Sequence, residues 1–166
     1  GDGTSIVAGD VDGDGDMDAL VTYSDINSVL LLNDGKGKLE ASGQEFKPAS
    51  NTAFGDLNGD GSLDIFFTQE TANEVWLNDG KGQFAKTDQA LVSTESSAVA
   101  LGDLDGDGDL DAFVSNWSGN PDQVFLNDGS GNFADSGQAL GTWSGADVSL
   151  GDVDGEGDLD AMVANN

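Results

Sequence analysis

The segment Asp103-Leu104-Asp105-Gly106-Asp107-Gly108-Asp109-Leu110-Asp111 sets carboxylates at its first, third, fifth and ninth places and glycines at its fourth and sixth. Alternate oxygens aimed at one point, with glycines permitting a tight reversal, suit a hard divalent cation. Ca2+ takes about 6–8 oxygen ligands at ~2.3–2.6 Å from carboxylates, backbone carbonyls and water. Without a cation the same loop crowds like charges together, and their repulsion works to splay it. A single copy of such a segment also reads as a solvated acidic loop. This one recurs at Asp10 (DVDGDGDMD), Asp56 (DLNGDGSLD) and Asp152 (DVDGEGDLD), so the four starts are 46, 47 and 49 residues apart. Solvated loops have no reason to keep register over four copies, and a fixed period of this size marks a solenoid or a propeller.

Each acidic segment needs a frame to close it. In the first period, the candidate strands Ser5–Ala8 and Leu20–Tyr23 flank the loop. Val29–Leu32, the turn Asn33-Asp34-Gly35-Lys36-Gly37 and a weaker strand over Lys38–Glu40 follow. The second period repeats this with Thr52–Phe54, Ile65–Thr68, Glu74–Leu77 and Gln83–Ala85. The third does so with Ala98–Leu101, Ala112–Val114, Gln123–Leu126 and Asn132–Ala134. Val148–Leu150 and Ala161–Val163 begin a fourth. Strands rich in β-branched and aromatic residues, bounded by Gly/Asn/Asp turns, predict an all-β chain. No segment keeps a 3.6-residue apolar period. Consecutive apolar residues, as in Ile65-Phe66-Phe67, place hydrophobic side chains on both faces of a sheet, which must then be covered on both. Four-stranded antiparallel sheets stacked face to face are β-propeller blades. The expected units are 1–47, 48–93, 94–142 and a partial 143–166, about three and a half blades in a single repeat domain.

Composition narrows the function. Of 166 residues, 32 are acidic and 5 basic, for a net charge of −27. Phosphate contacts need Lys and Arg, so nucleic acid is excluded as a partner, and an anionic membrane surface is disfavoured. There is no Cys for a disulfide or thiolate site and no His for general-base or zinc chemistry. No apolar run approaches the ~20 residues of a membrane helix. With the conspicuous carboxylates committed to metal loops, an enzyme, whether a polysaccharide lyase or a glycoside hydrolase, is not expected.

The segments Phe54-Gly55-Asp56-Leu57-Asn58-Gly59-Asp60-Gly61 and Leu101-Gly102-Asp103-Leu104-Asp105-Gly106-Asp107-Gly108, with the Leu-Asn-Asp-Gly-x-Gly runs at Leu32, Leu77 and Leu126, resemble the FG-GAP and VCBS repeat family, bacterial relatives of the integrin α-subunit propeller. EF-hand, dockerin and thrombospondin-type motifs lack strand-bearing periods of this length. The resemblance implies one Ca2+ in the hairpin between the first two strands of each blade, about four sites in all. Carried over by position, the side-chain ligands are Asp10, Asp12, Asp14 and Asp18; Asp56, Asn58, Asp60 and Asp64; Asp103, Asp105, Asp107 and Asp111; and Asp152, Asp154, Glu156 and Asp160. Asp16, Ser62, Asp109 and Asp158 then supply backbone carbonyls. Asn58 removes one charge and Glu156 is one methylene longer, so weaker binding in the second loop and altered geometry in the fourth are expected.

The expected role is a calcium-rigidified structural, adhesive or scaffold module, extracellular or at the cell surface, where millimolar calcium fills weak sites. The chain opens at Gly1 without an initiator Met or signal-like segment, which gives the expectation of a piece of a longer product. Three and a half blades fall short of the ~4–8 that close a ring. A protein partner or self-association is therefore expected to supply the remainder. The alternative reading is a carbohydrate-binding propeller that stacks sugar rings on Trp117 and Trp143, whereas Trp76, in mid-strand, belongs to the core.

Overall fold

Side chains alternate across a strand, so Ile65-Phe66-Phe67 sends Phe66 to one face and its neighbours to the other. In the computed structural model of the chain, which describes residues 3–166, those two faces meet different partners. Phe66 joins a cluster with Val99, Val114, Phe125 and Phe133 from the third repeat. Ile65 and Phe67 join another with Leu20, Leu30 and Phe46 from the first. The third repeat divides its second strand likewise: Ala112 and Val114 face the second repeat, and Phe113 packs with Val148 of the fourth. Each fully buried Phe stabilises the stack by about 1.5–3 kcal/mol.

The sheets that carry these residues are antiparallel and follow chain order. Blade 1 is β1 (Gly3–Gly9), β2 (Asp18–Tyr23), β3 (Val29–Asn33) and β4 (Leu39–Ala41). Blade 2 is β5 (Asn51–Gly55), β6 (Asp64–Thr68), β7 (Ala72–Asn78) and β8 (Phe84–Lys86), with β9 (Leu91–Val92) added on β7. Blade 3 is β10 (Ser96–Gly102), β11 (Asp111–Asn116), β12 (Asp122–Asn127) and β13 (Phe133–Leu140). The fourth sheet holds two strands, β14 (Gly145–Gly151) and β15 (Asp160–Asn165). The first strands β1, β5, β10 and β14 adjoin one another in that order. The sheets therefore splay outward from a shared inner seam as propeller blades, and no helix occurs among the described residues.

One element departs from the sequence expectation. The segment after each fourth strand folds back along the third strand instead of merely connecting blades. Leu91 pairs with Asn73, Phe46 bridges to Ser28, and β13 runs on to pair Leu140 with Asp122. In the first two of these segments one apolar residue drives this, since Phe46 and Leu91 are only 1% and 3% exposed between blades. Two or three residues set among Gln, Lys, Asp and Ser give too short a pattern to read as a strand. Lys47, next in the first of these segments, lies 3.7 Å from Glu74, whose buried carboxylate also binds Lys86 at 2.5 Å and accepts the Trp76 indole N–H at 3.0 Å. Trp76 itself packs edge-on against Phe46, as a core residue should.

Candidate metal centre

The acidic segments are the hairpin loops β1–β2, β5–β6, β10–β11 and β14–β15, all at the same end of their blades. Their fold is written in side chain-to-backbone bonds. In the third loop the two oxygens of Asp103 accept the N–H groups of Gly106 and Gly108 at 2.7 and 3.1 Å. Those glycines stand at φ +84° and +96°, a region that turns their amides inward and that other residues rarely enter. Asp105 accepts from Asp107 N–H and Asp107 from Asp109 N–H, at 3.2 and 3.0 Å. Asp10 and Asp152 hold their loops as Asp103 does, through Gly13 and Gly15 and through Gly155 and Gly157. In the second loop Asp56 holds Asp60 and Gly61 instead.

The ninth residue carries a further function that the sequence reading did not assign. One oxygen of Asp111 accepts Leu104 N–H from its own loop at 2.9 Å, and the other accepts Asn127 N–H from the β12–β13 turn at 2.8 Å. Asp18 does the same with Val11 and Asn33, and Asp64 with Leu57 and Asn78. This carboxylate ties the loop to the Leu-Asn-Asp-Gly turn, and the Asn side chain continues the chain of bonds. Asn78 Nδ2 donates to Val11 O of the preceding blade at 2.8 Å, and Asn127 Nδ2 to Leu57 O at 2.9 Å.

Carboxylate oxygens of Asp10, Asp12 and Asp18, of Asp103, Asp105 and Asp111, and of Asp152, Asp154 and Asp160 lie within 4.8 Å of one another. Oxygens around one Ca2+ at ~2.3–2.6 Å can be no more than about 5 Å apart, so these three sets fit a single hard cation. A carboxylate has about four lone-pair sites, so accepting a backbone N–H leaves room for a metal. The fifth-position residues Asp14, Asp107 and Glu156 stand outside these groups. In the second loop Asn58 turns its amide onto Asp60 at 3.0 Å, leaving Asp56 and Asp64 as the remaining carboxylates of the first, third and ninth positions. At the seventh position the side chains of Asp16, Ser62 and Asp109 lie over the turn glycines Gly35, Gly80 and Gly129. Asp158 borders a cleft between the third and fourth loops.

Electrostatics follow this division. Burial, and then the charges of Asp18, Asp14 and Asp10, raise Asp12 above the ordinary carboxylate range, against the Asp14 N–H. Asp105 is raised by desolvation and then by Asp107, Asp111 and Asp103. Burial also raises Asp64, over the opposing N–H groups of Asn78 and Leu57. Asp60 is lowered, first by the Ser62 N–H and then by the Asn58 amide. At Asp12 and Asp105 the neighbouring carboxylates add to desolvation, and the same negative field is what draws in a cation.

A second staple was missed as well. Gln44 pairs through both side-chain atoms with Phe84 of the next blade, its Nε2 donating to Phe84 O at 2.5 Å and its Oε1 accepting Phe84 N–H at 3.0 Å. Gln89 likewise binds Gly131 O and Phe133 N–H, both at 2.6 Å. The signal was in the spacing, because Gln44, Gln89 and Gln138 each stand 11 residues after the turn asparagine.

Acidic β-hairpins repeated once per blade define a repeat module of the propeller class. The FG-GAP-like repeat model matches residues 10–67, 56–114 and 103–163, so the chain belongs to the FG-GAP-like repeat family. No curated protein matches it. Among solved structures, a chain of the Photorhabdus luminescens Tc holotoxin pore is similar in fold at 22% identity and a TM-score of 0.52. The match covers 95% of this chain and 8% of that one.

Proposed function

We propose that the chain is a non-enzymatic calcium-binding module with a structural or scaffold role, working within a larger extracellular assembly. The observation that carries this reading is the convergence of three carboxylates in the first, third and fourth loops. Asp103, Asp105 and Asp111 would hold the ion in the third loop, and the corresponding residues in the first and fourth. The second loop, with Asn58 in place of a carboxylate, binds most weakly. Bound calcium supplies neutralisation: it offsets the like-charge repulsion that adds to desolvation at Asp12 and Asp105, and it locks each hairpin to its blade. Melting in a calcium titration tests this, with binding counted by calorimetry. The expected result is a midpoint about 5–15 °C higher in millimolar calcium than in chelator, since ligands that bind only the folded state raise its stability. An unchanged midpoint overturns the reading.

A carbohydrate-binding reading has one observation in its favour. At the blade ends opposite the acidic loops, a cleft of about 540 Å3 is lined by Trp117, Ser50, Asn51, Glu70 and Glu95. Hydroxyl, amide and carboxylate groups beside an indole suit a sugar ring. A glycan array probed with the intact chain decides it, and Trp117→Ala must abolish any signal attributed to this cleft.

A further inference from the structure

Asn58-Gly59 is the one Asn-Gly pair in the sequence, and it stands at the third and fourth places of the second acidic loop. An asparagine carboxamide carbon can be attacked by the next backbone nitrogen to close a five-membered imide, a reaction that needs no second molecule. Glycine obstructs this least, because it has no Cβ beside the nitrogen and turns freely. In the first, third and fourth loops the nitrogen at the fourth place is engaged. The leading aspartate holds its N–H: Gly13 by Asp10 at 2.8 Å, Gly106 by Asp103 at 2.7 Å and Gly155 by Asp152 at 2.6 Å. In the second loop Asp56 takes the N–H of Asp60 at 3.1 Å instead, and Gly59 N–H has no acceptor among the described residues. Gly59 is exposed, at φ +74°, and a Cβ there would meet only Gly129 O, at 3.8 Å.

The carbon under attack is prepared as well. Asn58 Oδ1 accepts the Asp60 N–H at 2.9 Å, which polarises the carboxamide and steadies the charge that its oxygen gains as the ring closes. Asn58 Nδ2 donates to Asp60 Oδ2 at 3.0 Å, so the third-place side chain leans on the fifth. In the other three loops the third-place carboxylates of Asp12, Asp105 and Asp154 converge with those of the first and ninth places. The Asn58 amide is thus the group that sets the second loop apart, and it is also the group open to replacement.

We propose that Asn58 is a self-modification site, whose deamidation gives the second loop the third-place carboxylate that the other loops encode. Gly59 N bonds to Asn58 Cγ, the Cγ–Nδ2 bond breaks, and the nitrogen leaves as ammonia with the proton that Gly59 N gives up. Water then opens the imide. Addition at the side-chain carbonyl yields aspartate with the backbone restored, whereas addition at the main-chain carbonyl yields isoaspartate, with one methylene more in the backbone. In the aspartate product the bond to Asp60 is replaced by repulsion between two carboxylates. That releases the third-place side chain to join Asp56 and Asp64 around a cation. The gain in cation binding rests on the calcium reading above; the deamidation does not.

The test incubates the intact chain in chelator at neutral pH and physiological temperature, with its peptides mapped by mass at intervals. The expected result is a gain of mass at Asn58, from replacement of NH2 by OH, that runs ahead of any change at Asn33, Asn78 or Asn127. Isoaspartate appears at the same position, detected by enzymatic methylation. Asn58→Gln keeps the amide but sets its carbon one bond too far for a five-membered ring, so the mass gain at this position is lost. Asn58→Asp, which is the finished product, tightens the weakest calcium-binding step by about tenfold in calorimetry, since affinity follows the number of charged ligands. An Asn58 that changes no faster than the other asparagines, or no faster than the glutamine of Asn58→Gln, overturns the site. Equal calcium affinity in the parent and in Asn58→Asp overturns the consequence drawn from it. Deamidation at Asn58 in a chain that binds no calcium overturns that consequence together with the function proposed above, and leaves the modification site standing.

Discussion

The third and fourth acidic hairpins contain nearly the same nine residues and make nearly the same loop. Asp111 accepts Leu104 N–H at 2.9 Å, and Asp160 accepts Val153 N–H at 3.0 Å. Their surroundings differ. Asp111 is fully buried and tied to the next hairpin through Asn127, whereas Asp160 is partly exposed and lacks that tie. The strands behind them differ in the same sense, with Phe113 5% exposed and Met162 53%. The loop is thus a local product of its aspartates and glycines, while burial and the second bond come from the third and fourth strands of the blade. Removing the carboxylate separates these contributions. Asp111→Ala leaves two buried or half-buried N–H groups without an acceptor and should cost about 2–5 kcal/mol. In Asp160→Ala water reaches the Val153 N–H, and the cost should be under about 1 kcal/mol. Both variants lose one loop charge, so their difference in urea unfolding isolates the buried ties. Equal losses would mean that the loop, and not its neighbour, holds the blade together.

The turn asparagines sharpen the contrast by asking what a preceding blade adds. Asn127 Nδ2 donates to Leu57 O across the interface and to Leu110 O in its own blade, and Asn78 has the same pair of bonds. In the first blade Asn33 Nδ2 donates to Met17 O alone among the described residues and is solvent-accessible. Asn127→Ala should therefore cost about 1–3 kcal/mol, mostly from the carbonyls left buried, and Asn33→Ala about 0.5 kcal/mol. Thermal melts of the two variants in calcium provide the comparison. A loss at Asn33 as large as that at Asn127 would show that the amide acts within its own blade.

What the sequence made legible follows from the range of each interaction. The acidic loops depend on bonds spanning two to five residues, and their Asp/Gly alternation could be read directly. The blades depend on a period-two pattern that Ile65-Phe66-Phe67 displays on both faces, and this too was visible. Groups whose partners lie in another blade were not. Asn78 reaches Val11 across 67 residues and Gln44 reaches Phe84 across 40, and nothing local distinguishes either from a turn or surface residue. Only the constant spacing between turn Asn and Gln hinted at a shared task. The convergence of positions one, three and nine without position five was equally hidden, because whether Asp107 turns inward or binds the Asp109 N–H is decided by loop closure and not by spacing.

The smallest expected effect concerns a position at which the blades differ in charge. Asp122 opens β12 as Asn73 nearly opens β7, and both cap the preceding corner: Asp122 accepts Asn116 N–H at 3.0 Å, and Asn73 accepts Gln69 N–H at 3.2 Å. Burial raises the Asp122 carboxyl above its ordinary value of 3.8, and the Asn116 N–H only partly opposes this. Since the folded chain then holds this proton more tightly than the unfolded one, the contribution of Asp122 to stability falls as pH rises through the window just above 3.8. At neutral pH the deficit is fully expressed. Asp122→Asn keeps the acceptor and removes the charge, as blade 2 already does. It should raise the melting midpoint at pH 7 by about 1–2 °C, and the gain should vanish as pH is lowered below about 3.8. The acidic loops titrate alike in both proteins and cancel in the difference. A variant less stable than the parent at pH 7 would show that the charge-assisted bond to Asn116 outweighs the cost of burial, and that the third blade uses the carboxylate where the second makes do with an amide.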